Sequence, residues 1–373
     1  MNPSTNETLY CIGCGAAIQS ENPKEEGFIP KSALEKRTES DDIYCKRCFR
    51  LRHYNDPQDI ELDEDAYMNV LNEISQEKAL VILVVDLFDF NGSFISGIQR
   101  FKGDNPLLIV ANKLDILPKN VKENRLRQWV IEQSAKFGAK ADDVALISAK
   151  NTDSVKGLLQ TIEDMRSGHD VYVVGTTNVG KSTLINQIIN LTIEEKDLVT
   201  TSYYPGTTLG KIEIPLADGA SIIDTPGIIQ HHQLSYYLDK SEMKQVMPRK
   251  RINPKVYQIN PGQTLFLGGV GRIDYKSGPD KQPFVVYVSG DLYIHRTKTE
   301  NAESAYQSLV TDRLTPPNNK DNSLPEFSTH EYRTNEESDI AISGLGWISV
   351  PKNVIVSVHA PEGIDVYFRK AMI

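Results

Sequence analysis

No apolar run in this sequence approaches the roughly 18 residues that a membrane-spanning helix requires. The opening residues, MNPSTNETLY, have neither the basic start nor the apolar core of a secretory leader, so the cytoplasm is the expected compartment and no membrane partner is expected. A basic excess is also missing: the net charge is −9, which does not advertise nucleic-acid binding, although an average over several domains can hide a local patch. Internal repeats are absent. Cysteine occurs only four times, as the pairs Cys11 with Cys14 and Cys45 with Cys48. A reducing compartment disfavours disulfides, so such pairs point to a metal.

What is present fits a multidomain globular protein. Hydrophobic residues make up 39% and charged residues 24% of 373 positions, too long a chain for one ordinary core. The acidic segment from Asp59 to Glu77 has helical spacing. ALVILVVDLFD (79–89), PLLIVANKLD (106–115) and VALISAK (144–150) read as strands buried on both faces. ENRLRQWVIEQSAKFG between the last two reads as an amphipathic helix. VYVVGTTNVGKSTLINQIIN (171–190) is strand, loop and helix, and KIEIPLADGASIIDTPG (211–227) is a hairpin turning at Asp218-Gly219. Strands alternating with helices imply a doubly wound α/β sheet. After about Gln230 the alternation fades into short Gly-punctuated strands, QTLFLGG, FVVYVSGDLYIH, GWISV and NVIVSVHA, with a loop or linker over 315–328.

The strongest motif is Gly175-Thr-Thr-Asn-Val-Gly180-Lys181-Ser182, a full GxxxxGK(S/T) pattern followed by Thr183, between a strand and a helix. Glycines let the backbone wrap a phosphate with its amides turned inward. Lys181 is then placed to reach β and γ oxygens, and the Ser182 hydroxyl to ligate Mg²⁺. Asn112-Lys113-Leu114-Asp115 follows a strand and matches NKxD. The Asp115 carboxylate suits the two donors that guanine presents, and adenine would leave it unpaired. Ser148-Ala149-Lys150 follows the next strand and completes the base pocket. Asp224-Thr225-Pro226-Gly227 follows the strand SIID. Asp224 is expected to hold Mg²⁺ through water, and the Gly227 amide to bond the γ-phosphate. Pro205-Gly206-Thr207-Thr208 supplies a threonine for Mg²⁺ and the γ-phosphate, Thr208 favoured over Thr207. GTP, GDP and Mg²⁺ are therefore the expected ligands.

These five motifs stand in the order fourth, fifth, first, second, third, and this resembles the circularly permuted P-loop GTPases. With the cysteine pairs ahead and a β-rich region behind, the whole chain resembles the YqeH family of ribosome-assembly GTPases. The resemblance implies a zinc-binding, treble-clef-like module (1–56), a permuted α/β GTPase domain (57–230) and a β-rich α+β domain (231–373) contacting RNA or protein. It also implies GTP hydrolysis coupled to assembly of the small (30S) ribosomal subunit, with rRNA or a pre-ribosomal particle as partner. Monomer is the favoured state. Permutation sets the third motif directly before the C-terminal domain, so ordering around Gly227 is expected to reposition that domain.

Other features refine the expectation. Two CxxC pairs favour a closed tetrahedral Zn(Cys)₄ site of Cys11, Cys14, Cys45 and Cys48. Basic Lys46, Arg47, Arg50 and Arg52 lie among Phe49 and Tyr54, a mix that suits RNA phosphates and stacking; His53 reads as a surface histidine. A second basic run, KQVMPRKRINPK (244–255), holds no acid. Ile228 and Ile229 stand where Ras-like enzymes place a water-orienting glutamine, so slow intrinsic hydrolysis is expected. Asn178 resembles the asparagine by which related GTPases hold K⁺; it also suits a tight loop. The alternative class is a nucleotide-dependent switch that recruits a protein, with negligible hydrolysis and no RNA contact. Asp86-Leu-Phe-Asp89 with Gly92-Ser93, after the first sheet strand, suggests no chemical role, and Asp86 reads as a cap of the next helix.

Overall fold

The computed structural model describes residues 9–11, 16–22, 27–34, 43–46, 71–195, 207–208, 211–319 and 324–373. Strands β1 (Ala79–Asp86) and β2 (Leu107–Asn112) are buried along their whole length, as strands covered on both faces must be. They join β3 (Asp143–Leu146), β4 (Asp170–Gly175), β5 (Thr207–Thr208), β6 (Lys211–Pro215) and β7 (Ser221–Asp224) in a seven-stranded sheet ordered β3-β2-β1-β4-β7-β6-β5. β1 pairs with β4, and β4 with β7, in parallel. β6 and β7 form the expected antiparallel hairpin. Gly219 turns it at φ 91°, a region L side chains rarely adopt, and Leu216 N–H donates to the Ala220 carbonyl at 2.7 Å.

The expected amphipathic helix forms at Glu123–Lys136, and helices Thr152–Arg166 and Lys181–Glu195 follow β3 and β4. Asn151 starts the second of these by accepting the Ser154 N–H at 3.0 Å. Of the helix expected over 59–77, residues 71–74 are helical and 59–70 lie outside the described residues.

Compactness divides the chain into two units, neither a single stretch of sequence. One comprises Met1–Val84, Ile95–Val110 and Gly138–Ile228; the other comprises Val85–Phe94, Ala111–Phe137 and Ile229–Ile373. The first has a core of Leu80, Ile82, Leu108, Val155, Leu158, Val173, Ile185 and Ile188, which seals sheet against helices. The carboxyl ends of β1 and β2 run into the second unit.

In the second unit, the short strands expected after Gln230 become two five-stranded antiparallel sheets. One comprises β9 (Gln263–Leu267), β10 (Gly271–Ser277), β12 (Ile294–Lys298), β13 (Phe327–Arg333) and β16 (Ile355–Pro361). The other comprises β8 (Lys255–Ile259), β11 (Gln282–Val288), β14 (Ser338–Ile342), β15 (Gly346–Val350) and β17 (Val366–Lys370). Both sheets feed one apolar core, with Leu265, Ile273 and Val358 from the first and Phe284, Ile340 and Ile348 from the second. Two short helices, Lys240–Val246 and Ala302–Leu309, lie among them. The longer helix Glu123–Lys136 belongs to the same unit, where Trp129 Nε1 donates to the Lys370 carbonyl at 3.0 Å. The linker expected over 315–328 ends inside β13, and residues 320–323 of it lie outside the described residues.

The segment after β1 is fastened into this second unit by a buried acid. The Asp89 carboxylate accepts the Gln233 amide and the Gly344 N–H, each at 2.9 Å, with the Ser343 hydroxyl at 3.5 Å. Next to it Asn91 accepts from the guanidinium of Arg369, whose charge lies 4.9 Å from the Trp129 ring. Gly92 leaves room for this packing, since an added β-carbon there would lie 1.9 Å from Ser343 Oγ. Burial, and then the Asp86 charge, raise Asp89 from 3.8 to about 7, against opposing pulls from Gly344, Arg369 and Gln233. The folded protein thus keeps a proton that the unfolded chain loses. Its contribution is complete below about 3.8 and is lost as pH rises through about 7. The wild type is expected to lose up to about 4 kcal/mol of stability between pH 4 and pH 7 from this group. Urea titrations of Asp89→Asn across that range should show a flatter dependence; an unchanged pH slope would contradict the assignment.

Candidate functional site

β4 ends at Gly175, where a β-carbon would lie 3.0 Å from the Val84 carbonyl oxygen and 3.3 Å from Val179 Cγ2, so a side chain there would force its neighbours to shift. The loop passes through Asn178 at φ 64° and Gly180 at φ 88° before the helix begins at Lys181. Asparagine tolerates the left-handed region, which is a local reason for Asn178 besides any cation. Thr176 Oγ1 is buried in this loop with no hydrogen-bond partner among the described residues. Ser182 and Thr183 occupy the first helical turn.

Lys181 is 4% exposed, and a buried ammonium must be met by acceptors. Its Nζ donates to Asp224 Oδ1 at 2.6 Å and to the Thr225 carbonyl. Both acceptors sit at the end of β7, so the lysine, the Mg²⁺ candidate Asp224 and the loop form one cluster. DTPG is zipped onto the loop beyond the strands. Thr225 N–H and Oγ1 both donate to the Val173 carbonyl, at 3.1 and 2.9 Å. Thr177 N–H donates to the Ile228 carbonyl at 2.8 Å, and Ile228 N–H to the Gly175 carbonyl at 3.3 Å. The segment holding Gly227 is thereby clamped to the phosphate loop on both sides. Residues 207–208 pair with β6, where Ile212 faces Thr207 on one side and Asp224 on the other. That register puts the backbone of the threonine pair at the level of Asp224; Pro205 and Gly206 lie outside the described residues.

Ser148-Ala149-Lys150 follows β3 in the same unit. Ser148 N–H donates to Ser154 Oγ at 3.1 Å, and Asn151 N–H to the Ser148 carbonyl at 2.9 Å, which folds the motif into the start of the next helix. Asn112, Lys113 and Asp115 fall in the second unit. Asn112 is buried at the end of β2, Lys113 is left-handed at φ 69°, and Asp115 lies in the single turn Leu114–Ile116. Lys113 Nζ donates to Asp86 Oδ2 at 2.7 Å, while Asp86 Oδ1 accepts the Phe88 N–H at 2.9 Å. Asp86 is therefore no simple helix cap. The sequence signal for it was an acid closing a buried strand of the same sheet.

Of the cysteines, Cys11 and Cys45 are brought together, both 2% exposed, and Cys45 N–H donates to Cys11 Sγ at 3.2 Å. Ile29 and Ile43 complete a small core around them. Cys14 and Cys48 lie outside the described residues, as do Arg47, Arg50, Arg52, Phe49, Tyr54 and His53. Among the described residues no group of three or more His, Cys, Asp and Glu is arranged to hold a metal, and no helix is long and apolar enough to cross a membrane.

Two family models match the chain: one described as YqeH-like, C-terminal, over residues 281–372, and one described as 50S ribosome-binding GTPase, over residues 170–253. The YqeH protein of Bacillus subtilis (strain 168) is 45% identical over 370 residues, spanning 98% of this chain and 100% of that protein. NO-associated protein 1, chloroplastic/mitochondrial, of Arabidopsis thaliana is 32% identical across 97% of this chain and 76% of its own length. Nitric oxide-associated protein 1 of Homo sapiens is 22% identical across 98% of this chain and 75% of its own.

Lys181→Ala removes the ammonium expected to meet phosphate and strips Asp224 of its ion-pair partner. The dissociation constant for GDP, read by fluorescence titration, is expected to rise at least about 100-fold. An unchanged constant would take Lys181 out of the site.

Proposed function

The chain belongs to the YqeH family, and we propose that it hydrolyses GTP to GDP as a cytoplasmic switch in assembly of the small ribosomal subunit. The observation that carries the nucleotide reading is Lys181 buried against Asp224 and Thr225 beneath the Gly175–Ser182 loop. In this reading the loop amides cradle the phosphates, and Lys181 exchanges its Asp224 partner for phosphate oxygens. Ser182, Thr208 and Asp224 hold Mg²⁺, which neutralises phosphate charge when bound. Asn112, Lys113 and Asp115, with Ser148, Ala149 and Lys150, select guanine. The motif order is read as a circular permutation of a GTPase domain spanning 57–230, between a zinc module (1–56) and a C-terminal domain (231–373). Zn²⁺ is held by Cys11, Cys14, Cys45 and Cys48, for which the Cys45 N–H on Cys11 Sγ is the supporting contact. Cys11→Ser is then expected to lower bound zinc in the purified protein, read by atomic absorption; full zinc content would refute that ligand set.

Hydrolysis is expected to be slow unaided. Ile228 has no group to orient water, and its backbone N–H and carbonyl are both committed to the phosphate loop. That favours activation from outside, by K⁺ near Asn178 and by a ribosomal particle engaging the basic runs. It also keeps the second reading in play, a protein-recruiting switch with negligible turnover and no RNA contact. Of the two subunits, the small one is favoured by the family resemblance, while the description of the matched family model names the 50S. GTP turnover in K⁺ against Na⁺ buffer, alone and with purified 30S or 50S subunits, separates these. Stimulation by K⁺ and 30S is expected. Stimulation by 50S alone would move the partner, and stimulation by neither, with tight GTP binding, would favour protein recruitment.

A further inference from the structure

The basic run over 244–255 reaches the base-recognition motif. Ile252 donates its backbone N–H to the Ile116 carbonyl at 2.7 Å, and Arg251 donates from Nε to the Asp115 carbonyl at 3.3 Å. Ile252 is buried at 3% exposure and anchors the contact, whereas Arg251 is exposed. The turn they touch, Leu114–Ile116, is three residues long and carries the Asp115 carboxylate. So short a turn closes two backbone bonds of its own, Ile116 N–H to the Lys113 carbonyl at 3.1 Å and Leu117 N–H to the Leu114 carbonyl at 3.2 Å. Its orientation therefore also depends on what holds its other carbonyls and its flanks. On one flank Asp86 grips Lys113 at 2.7 Å; on the other stand Arg251 and Ile252. All these residues fall within one compact unit, the one that contains the two C-terminal sheets.

We propose that Arg251 and Ile252 are positioning residues for guanine recognition, fixing the turn that aims the Asp115 carboxylate at the base. The proposal rests on the reading of Asn112 to Asp115 as the base-recognition motif. A carboxylate that accepts two donors at once must be held to within about 10–20° of its working angle. Loosening the brace therefore weakens the two-donor contact with guanine more than a one-donor contact with hypoxanthine, which lacks the exocyclic amine. GDP and GTP carry the same base, so the brace acts on both alike. This separates it from any route through Gly227, which depends on the γ-phosphate.

The test uses the full chain with Arg251→Ala, an exposed change that leaves the core intact, and Ile252→Ala as an independent loosening of the same contact. Dissociation constants for GDP, GTP and inosine diphosphate are measured for each, with the thermal midpoint as a check on folding. Both variants are expected to weaken GDP and GTP by the same factor, about 3- to 10-fold, and inosine diphosphate by less, so the GDP preference shrinks. A GDP preference unchanged in both variants would overturn the proposal, and so would a loss confined to GTP. Failure of the underlying reading is distinguishable: the wild type itself would then bind GDP and inosine diphosphate equally.

Discussion

A lysine ammonium held at 4% exposure constrains everything around it. The burial of an unpaired charge costs several kcal/mol. Lys181 finds its acceptors in Asp224 and Thr225, 43 and 44 residues further along, and they arrive only because β7 pairs in register with β4. The same pairing continues past the strands through Thr177 and Ile228, so the phosphate loop and the DTPG segment form one backbone unit. Gly175 is part of that constraint, because any side chain there would press on the β1 backbone at Val84. The residues proposed for phosphate, for Mg²⁺ and for γ-phosphate sensing thus share one stretch at the ends of β4 and β7.

The residues proposed for base recognition have a different support. Asn112 and Asp115 lie where β2 leaves the sheet, and the residues that hold their loop are Asp86, Arg251 and Ile252. The unit to which these belong also holds Asp89 and the two C-terminal sheets. The C-terminal family match over residues 281–372 falls inside it. The candidate phosphate and base residues therefore answer to separate sets of packing contacts, so a variant is expected to be able to damage one and spare the other.

Much of this could be read from sequence because the signals were local. Apolar runs without polar interruption gave β1 and β2, a period of 3.6 gave the helix at Glu123–Lys136, and Asp218-Gly219 gave the hairpin. GxxxxGKS located the phosphate loop because glycine at tight turns and lysine at a helix start carry their geometry in the residue type. Contacts made across long separations left no such trace. Nothing in KQVMPRKRINPK says that its arginine meets a carbonyl 136 residues earlier, and nothing in DLFD says which lysine Asp86 holds. The compact units escaped for a related reason. Reading along a chain favours contiguous domains, whereas residues 85–94 and 111–137 cluster with a region more than 90 residues downstream. Of the cysteine motif, the approach of Cys11 to Cys45 is visible, and it is what two CxxC pairs 30 residues apart would require.

Guanine selection tests the account most directly, because the proposed function gives Asp115 the base and the phosphate loop the phosphates of a nucleotide. Equilibrium titration of the wild-type chain with GDP and with ADP, in the same Mg²⁺ buffer, measures it. An Asp115 carboxylate left unpaired by adenine predicts GDP binding at least about 1,000-fold tighter. Equal affinity for the two nucleotides would contradict the account, since the Lys181 cluster would then be binding phosphate with no part played by Asn112 to Asp115.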